Sequence, residues 1–258
     1  MQDTTREIRL ASALVAAADT LDEGFEAPRY LQRVSDHCVE LLDAWAAGVM
    51  LIDGGRSVSL AASSRHEDVA LELLAAQRGG GPCVDSYGSG RPVPPVSIRV
   101  AHASARWPDF TERALRHDIV TTYAVPLRRH DTLFGALNVF VPTLPDDTPA
   151  EVAPEVHLAQ ALADAAALGL QNRRTCDQYR TLSGQLQEAL SSRVRIEQAK
   201  GVLAERWAIR PDQAFVALRQ YARRHRLPLD RVASAVIEGV ADDAELRREL
   251  DVSADGPA

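Results

Sequence analysis

Ten of the 14 prolines lie between Pro82 and Pro154, and then none occurs from Glu155 to Arg210. Proline inside a helix removes a hydrogen bond and clashes with the preceding turn, at a cost of about 3 kcal/mol. In a chain this rich in proline, a gap of 56 residues predicts one very long helix or two in tandem. A single helix of that length would reach ~84 Å at ~1.5 Å per residue, far more than a small domain needs. It must project from its domain or pair with something.

The heptad pattern indicates what it pairs with. Positions seven apart place Leu182, Ala189, Ile196 and Leu203 on one apolar line, beside a second line of Tyr179, Leu186, Arg193 and Lys200. Both lines start apolar and one turns basic, as a dimeric coiled coil would if it splayed into a separate functional unit. The alternative is an amphipathic helix packed on its own domain. Gly184 and Gly201 weaken the helix locally.

The residues before the gap read as α+β. Glu7 to Thr20 and Ala27 to Trp45 have apolar residues at helical spacing, broken by Asp22-Glu23-Gly24. Ala47 to Ile52 reads as a buried strand, Asp53-Gly54-Gly55 as a turn, and Ser57 to Ala62 as a half-exposed strand completing a hairpin. Glu67 to Gln77 reads as a helix stopped by Gly79-Gly80-Gly81, followed by a proline-rich passage as far as Pro108. Val120 to Leu127 and Leu133 to Val141 read as two more strands joined at His130-Asp131.

The 258 residues suit one large domain or two modest ones, and 46% hydrophobic with 25% charged residues excludes wholesale disorder, collagen-like structure and a disulfide scaffold. Cys38, Cys83 and Cys176 are odd in number and far apart, as expected of reduced thiols. No apolar run approaches the ~20 residues that span a bilayer, and the N-terminus lacks the pattern of a signal peptide. These features predict a cytoplasmic protein with no membrane partner.

The net charge of -7 hides an uneven distribution. Between Ser191 and Arg231 ten basic residues face four acidic ones, giving +6 and leaving -13 for the rest. Lys200 is the one lysine; every other basic residue is arginine. A compact ammonium and a planar guanidinium do different work, so its survival is suggestive. After Pro211, Ala214, Phe215, Leu218 and Tyr221 or Ala222 share one helix face. Arg219 and Arg223, four apart, share another, with Arg224 beside them. A further helix opens at Pro228 or Leu229 and runs through Val232, Ala233, Val236 and Ile237.

Family resemblances follow from local motifs. Gly81-Pro82-Cys83-Val84-Asp85, Arg106-Trp107-Pro108-Asp109-Phe110, and Val125-Pro126-Leu127 followed by Leu133-Phe134-Gly135-Ala136-Leu137-Asn138 resemble a bacterial GAF domain over about residues 25 to 172. Ser192 to Leu203, containing Gln198-Ala199-Lys200-Gly201, then Gln213-Ala214-Phe215 with Leu218-Arg219, then Val232-Ala233 and Val236-Ile237, is similar to the ANTAR domain of transcription antitermination regulators of actinobacterial type. That resemblance covers residues 191 to about 241. The chain departs from it with Arg226 and Pro228 in the loop before the third helix, where many members carry an Asn and a basic residue.

Together they imply an α+β GAF sensor domain followed by a long coiled-coil helix and an all-α three-helix ANTAR domain. The expected boundaries are 1–172, 173–192 and 193–245, with a disordered tail at 246–258. The ANTAR resemblance implies dimeric binding of tandem RNA stem-loops with hexanucleotide loops, which prevents terminator formation and reaches the RNA polymerase elongation complex only indirectly. The expected RNA-binding residues are Arg193, Gln198, Ala199, Lys200, Gly201, Arg206, Arg219, Arg223, Arg224 and Arg226. Arginines and Lys200 would contact phosphates, while Gln198, which both donates and accepts, would read base edges. Gly201 admits two readings, close packing of the third helix or close approach of an RNA backbone.

No P-loop, cyclase, kinase or receiver signature is present, and the seven histidines show no metal-ligand spacing. The expectation is a regulator without enzymatic activity, metal or cofactor, controlled by an unknown small molecule in the GAF domain or by a partner protein. Cys83 lacks a following histidine and reads as a structural thiol rather than a bilin or redox site. Two other classes stay open: a DNA-binding regulator that places its basic helices in a major groove, and a ligand sensor acting through protein partners.

Overall fold

The apolar runs pair into one antiparallel sheet in the computed structural model, which describes residues 2–22, 24–53, 56–141 and 154–254. The chain forms two units, 1–176 and 177–258. In the first, β1 (Ala46–Asp53), β2 (Arg56–Ala62), β3 (Val93–Ser97), β4 (Thr121–Arg129) and β5 (Thr132–Val141) lie in the order β2-β1-β5-β4-β3. The hairpin expected between β1 and β2 is present in register, Gly48 opposite Ala62 and Leu51 opposite Ser59. Its predicted turn at Gly54-Gly55 lies outside the described residues.

Side chains alternate across this sheet. Tyr123, Val125 and Leu127 of β4, with Leu137 and Val139 of β5, face a core built by α1 (Gln2–Ala18), α2 (Ala27–Leu42) and the start of α7 (Pro154–Trp207). Ala124 and Phe140 point the other way, into a core closed by α3 (Glu67–Ala76), α5 (Ile98–Ala103) and α6 (Pro108–Arg116). Central strands covered on both faces explain why β4 and β5 read as nearly continuous apolar runs. Asn138, buried in β5, donates to the Thr122 hydroxyl at 3.1 Å, and that hydroxyl lies 3.1 Å from the Val139 carbonyl. The pair keeps a polar group from being orphaned in the core.

Tyr30 ties three helices together. Its hydroxyl donates to the Ala17 carbonyl, with the Ala166 carbonyl 3.1 Å away, and burial raises its pKa in spite of the nearby Arg33 charge. A Cβ on Gly169 would stand 2.5 Å from the Ala17 carbonyl oxygen, so a glycine is required where α1 ends against α7.

The proline-rich passage, left without assigned elements, contains α4 (Pro82–Ser89), β3, α5 and the entry to α6. Pro82 and Pro108 occupy first-turn positions of α4 and α6, where no backbone donor is needed. Pro94 and Pro95 sit in β3, which pairs with β4 alone and forms the sheet edge. Asp85 joins the two motifs flanking this passage: its carboxylate accepts from the Trp107 indole at 3.0 Å and pairs with Arg106 at 3.2 Å, while Arg106 lies over the Trp107 ring at 4.0 Å.

The proline gap corresponds to one helix of 54 residues, α7, which begins in the first unit and ends in the second. The second unit adds α8 (Pro211–His225), α9 (Leu229–Ile237) and α10 (Asp243–Ala254). No helix among the described residues is long and apolar enough to cross a membrane.

Candidate nucleic-acid interface

The last turns of α7 pack with α8, α9 and α10 around Leu203, Trp207, Ala214, Leu218, Val232, Val236 and Leu246. Pro211 starts α8, and the Gln213 side chain accepts from the Arg210 backbone at 3.0 Å, satisfying a donor at the helix entrance. Arg226 ends α8 in the left-handed region, its N–H turned back to the Ala222 and Arg223 carbonyls. The helix therefore presents Arg219 and Arg223, both exposed and four apart on one face, with exposed Arg226 at its C-terminal cap.

The fourth helix corrects the expected tail. Residues 246–254 belong to α10, Leu246 is fully buried in the bundle core, and only 255–258 lie outside the described residues. Asp242 caps α10 by accepting from the Ala244 and Glu245 N–H groups, each at 3.0 Å. Asp243 accepts from Trp207 Nε1 at 2.9 Å and pairs with Arg206 at 2.7 Å. Burial pushes the Asp243 carboxyl upward, but the Trp207 and Arg206 hydrogen bonds and the Arg206 and Arg247 charges outweigh it, leaving it below the usual range. On the neighbouring turn His225 stacks on Tyr221 at 4.2 Å and lies 3.3 Å from Glu245.

These contacts divide the expected RNA-binding residues. Arg193, Gln198, Arg219, Arg223, Arg224 and Arg226 are exposed. Lys200 and Arg206 already hold carboxylates of their own chain: Lys200 Nζ lies 2.8 and 3.0 Å from the two Glu197 oxygens, and Arg206 is bound to Asp243. The Lys200 side chain is only 16% exposed, and its ammonium sits 5.4 Å from the centre of the Phe215 ring. A lysine so held joins α7 to α8. Ala199 is fully buried, which corrects its expected place on the binding face; its methyl packs the core.

Gly201 is exposed, and a Cβ built on it would meet nothing within 4 Å. The packing explanation for this glycine therefore falls, leaving a bare strip of helix. Glu197 and Glu205, both exposed, stand one turn to either side, so the strip is bordered by carboxylates.

The heptad lines also divide. Tyr179, Leu182, Leu186, Leu190 and Val194 are exposed large apolar side chains, whereas Ile196 is half-buried and Leu203 fully buried in the bundle. The first half of the seam is open and the second half serves the core of its own chain. Sequence reasoning missed Phe215 and Glu197 as partners of Lys200, although Glu197 stood three residues before it as a readable helical ion pair. It also missed Asp243, for which the Asp242 cap was the available signal.

In the first unit Cys38 and Cys83 are buried free thiols. Burial pushes Cys38 up to about 12, and it raises Cys83 further despite the Gln77 hydrogen bond. Thiols held protonated in this way are poor nucleophiles. Among the described residues no group of three or more His, Cys, Asp or Glu side chains is placed to hold a metal ion.

Exposed arginines on a small helical bundle at the end of a long helix make the stretch from Ser191 to Arg231 a basic face of the second unit. Residues 184–237 match the ANTAR domain family, and this part of the chain is an ANTAR domain. The match ends before α10. Ahead of it stands the α+β unit implied by the GAF resemblance, with those motifs at the starts of α4 and α6 and in β5.

Solved structures similar to the chain include the cyanobacteriochrome TePixJ GAF domain, at 17% identity over 61% of this chain and 93% of that one, with a TM-score of 0.43. The A. aeolicus nlh2 GAF domain in an inactive state matches at 12% identity over 65% and 99% of the two chains, with a TM-score of 0.47. The free methionine-R-sulfoxide reductase from Neisseria meningitidis in complex with its substrate matches at 16% identity over 67% and 94%, with a TM-score of 0.43. No curated protein matches the chain.

Proposed function

We propose that this protein is an RNA-binding transcription antitermination regulator of the cytoplasm, without enzymatic activity. Two copies associate through α7, and each ANTAR domain holds one of two tandem stem-loops with hexanucleotide loops. The paired hairpins then form at the expense of a terminator, and RNA polymerase is affected only through its transcript. The single observation that carries this reading is the coincidence of the ANTAR match over 184–237 with the exposed Arg219 and Arg223 on one face of α8 and Arg226 at its cap.

Support for the dimer comes from Tyr179, Leu182, Leu186 and Leu190, spaced by three and four residues and exposed along α7. That stripe suits the matching stripe of a second copy. Two linked domains give avidity that depends on the separation of the hairpins. The GAF-like unit regulates by favouring one arrangement of the dimer over another, which requires a signal that distinguishes them. The row of guanidinium groups supplies phosphate contacts and stacking surfaces for splayed bases, with Gln198 exposed on α7 as a reader of base edges.

The test is competition at fixed salt between a two-hairpin RNA and a duplex DNA of equal charge. The RNA reading predicts that the hairpins win; preference for the duplex makes the protein a DNA-binding regulator instead.

A further inference from the structure

The open stripe of α7 continues toward the N-terminus past Tyr179 and Leu182. Counting back in alternating steps of four and three places Thr175, Asn172, Leu168, Ala165 and Ala161 on the same two heptad lines. Ala161, Ala165, Leu168 and Thr175 are half-buried and Asn172 is exposed, so this side of the helix turns away from the core that Leu162, Ala163, Ala166 and Ala167 enter. α7 is unbroken through all of these positions.

Two polar residues interrupt the line. Thr175 is engaged within its own helix, its hydroxyl 3.3 Å from Gln171 Nε2. Asn172 carries both a donor and an acceptor outward. In the heptad that makes Tyr179 and Leu186 a positions, Asn172 is an a position too. When two such helices pair in parallel and in register, each a residue meets its own counterpart, and one Asn172 amide donates to the carbonyl oxygen of the other.

Other pairings leave that amide badly placed. A slip of one heptad sets it against Ala165 or Tyr179. An antiparallel pair sets a against d, so it meets an apolar d residue or the Thr175 hydroxyl that Gln171 already engages. A buried amide without a matched partner costs more than the bond it loses. Charge offers no alternative selector. The flanking g positions hold Gln171, Gln178 and Gln185, and the e positions hold Cys176 and Ser183, so the salt bridges that usually set helix orientation have no residues to form them.

We propose that Asn172 selects a parallel, in-register pairing of α7 with a second copy of this chain and rejects the alternatives, at some expense of affinity. The inference rests on the dimer proposed above and adds the residue that decides its geometry. Parallel pairing brings both C-terminal ends of α7, and so both ANTAR domains, to one end of the pair. Antiparallel pairing about Asn172 would send them roughly 50 Å to either side at ~1.5 Å per residue, beyond the reach of two adjacent hairpins.

The test uses the full chain carrying Cys176→Ser and Leu182→Cys, in which the other two thiols, Cys38 and Cys83, are buried. Residue 182 meets its counterpart only in a parallel, in-register pair, so mild oxidation should link most of the dimer seen in sedimentation equilibrium. Adding Asn172→Leu should tighten association about tenfold, because an apolar contact replaces the amide pair. It should also lower the linked fraction about twofold, the share expected when two orientations are equally populated. Asn172→Ala, which adds no apolar bulk, should show the same fall in linkage and separates lost selection from indiscriminate association.

A native dimer whose Leu182→Cys form does not link, or equal linked fractions with and without Asn172, would overturn the inference and leave the dimer standing. A native chain that stays monomeric would overturn the dimer itself.

Discussion

Asp243 of α10 accepts a hydrogen bond from the indole of Trp207 on α7 at 2.9 Å. With Arg206 bound to its other oxygen at 2.7 Å, this one carboxylate fastens a helix outside the ANTAR match to the end of the long helix. Replacing Asp243 by alanine is expected to cost about 1 kcal/mol, discounted for a side chain that water reaches. The midpoint of urea unfolding measures it.

The same carboxylate carries a pH dependence. Its folded pKa lies below the ordinary value, so the unfolded chain binds the proton more readily. The contribution is complete above the unfolded pKa of about 4 and is lost as pH falls through the folded value. The native protein should lose more stability below about pH 4 than Asp243→Ala does. Parallel stability–pH curves would contradict this.

Leu246 tests whether α10 is integral to the bundle. Its side chain is fully buried with Leu203, Trp207 and Val236, so Leu246→Ala should destabilise the second unit by about 2–4 kcal/mol. A disordered tail would give no change. Protection of the Trp207 indole from solvent, read by fluorescence, follows the same contact.

Much of this architecture was legible in the sequence. The proline gap marked α7, and the apolar runs around Val49, Val125 and Leu137 marked three strands, because burial on both faces leaves a strong signal. The elements between Pro82 and Pro108 were not legible, since proline serves a helix's first turn and a sheet edge as well as it serves a loop. α10 was illegible because, among the described residues, it places one side chain, Leu246, in the bundle core, too few for an apolar period. The basic character of the site was visible. Which cations were already engaged was not, because the Lys200–Phe215 and Arg206–Asp243 contacts join separate helices.

Gly201 separates helix stability from function. Alanine there meets open space and should raise helix stability by about 0.5–1 kcal/mol. If RNA backbone approaches this strip, affinity falls while stability rises. Unchanged affinity would confine the contact surface to α8 and agree with the acidic border of Glu197 and Glu205.

The arginine row and Lys200 should behave differently. Arg219→Ala and Arg223→Ala remove exposed side chains, so RNA affinity drops without loss of stability, and the salt dependence shallows by about 0.7–1 per phosphate contact removed. Lys200→Ala removes a clamp between α7 and α8 and should lower stability as well as affinity. Affinity and unfolding measured on the same preparations distinguish the two classes.

The open stripe on α7 predicts association. Leu186→Glu places a charge among Leu182, Leu190 and their counterparts in a second copy, and should convert a dimer to a monomer in sedimentation equilibrium. A native protein that is already monomeric would remove the basis for avidity.

Recognition of paired RNA hairpins is tested by affinity at one salt concentration for a tandem-hairpin RNA and for the same RNA with scrambled loops. Scrambling the loops should lower affinity at least tenfold, the equivalent of about 1.4 kcal/mol. Equal affinity for the two RNAs, or no binding to either, would contradict it.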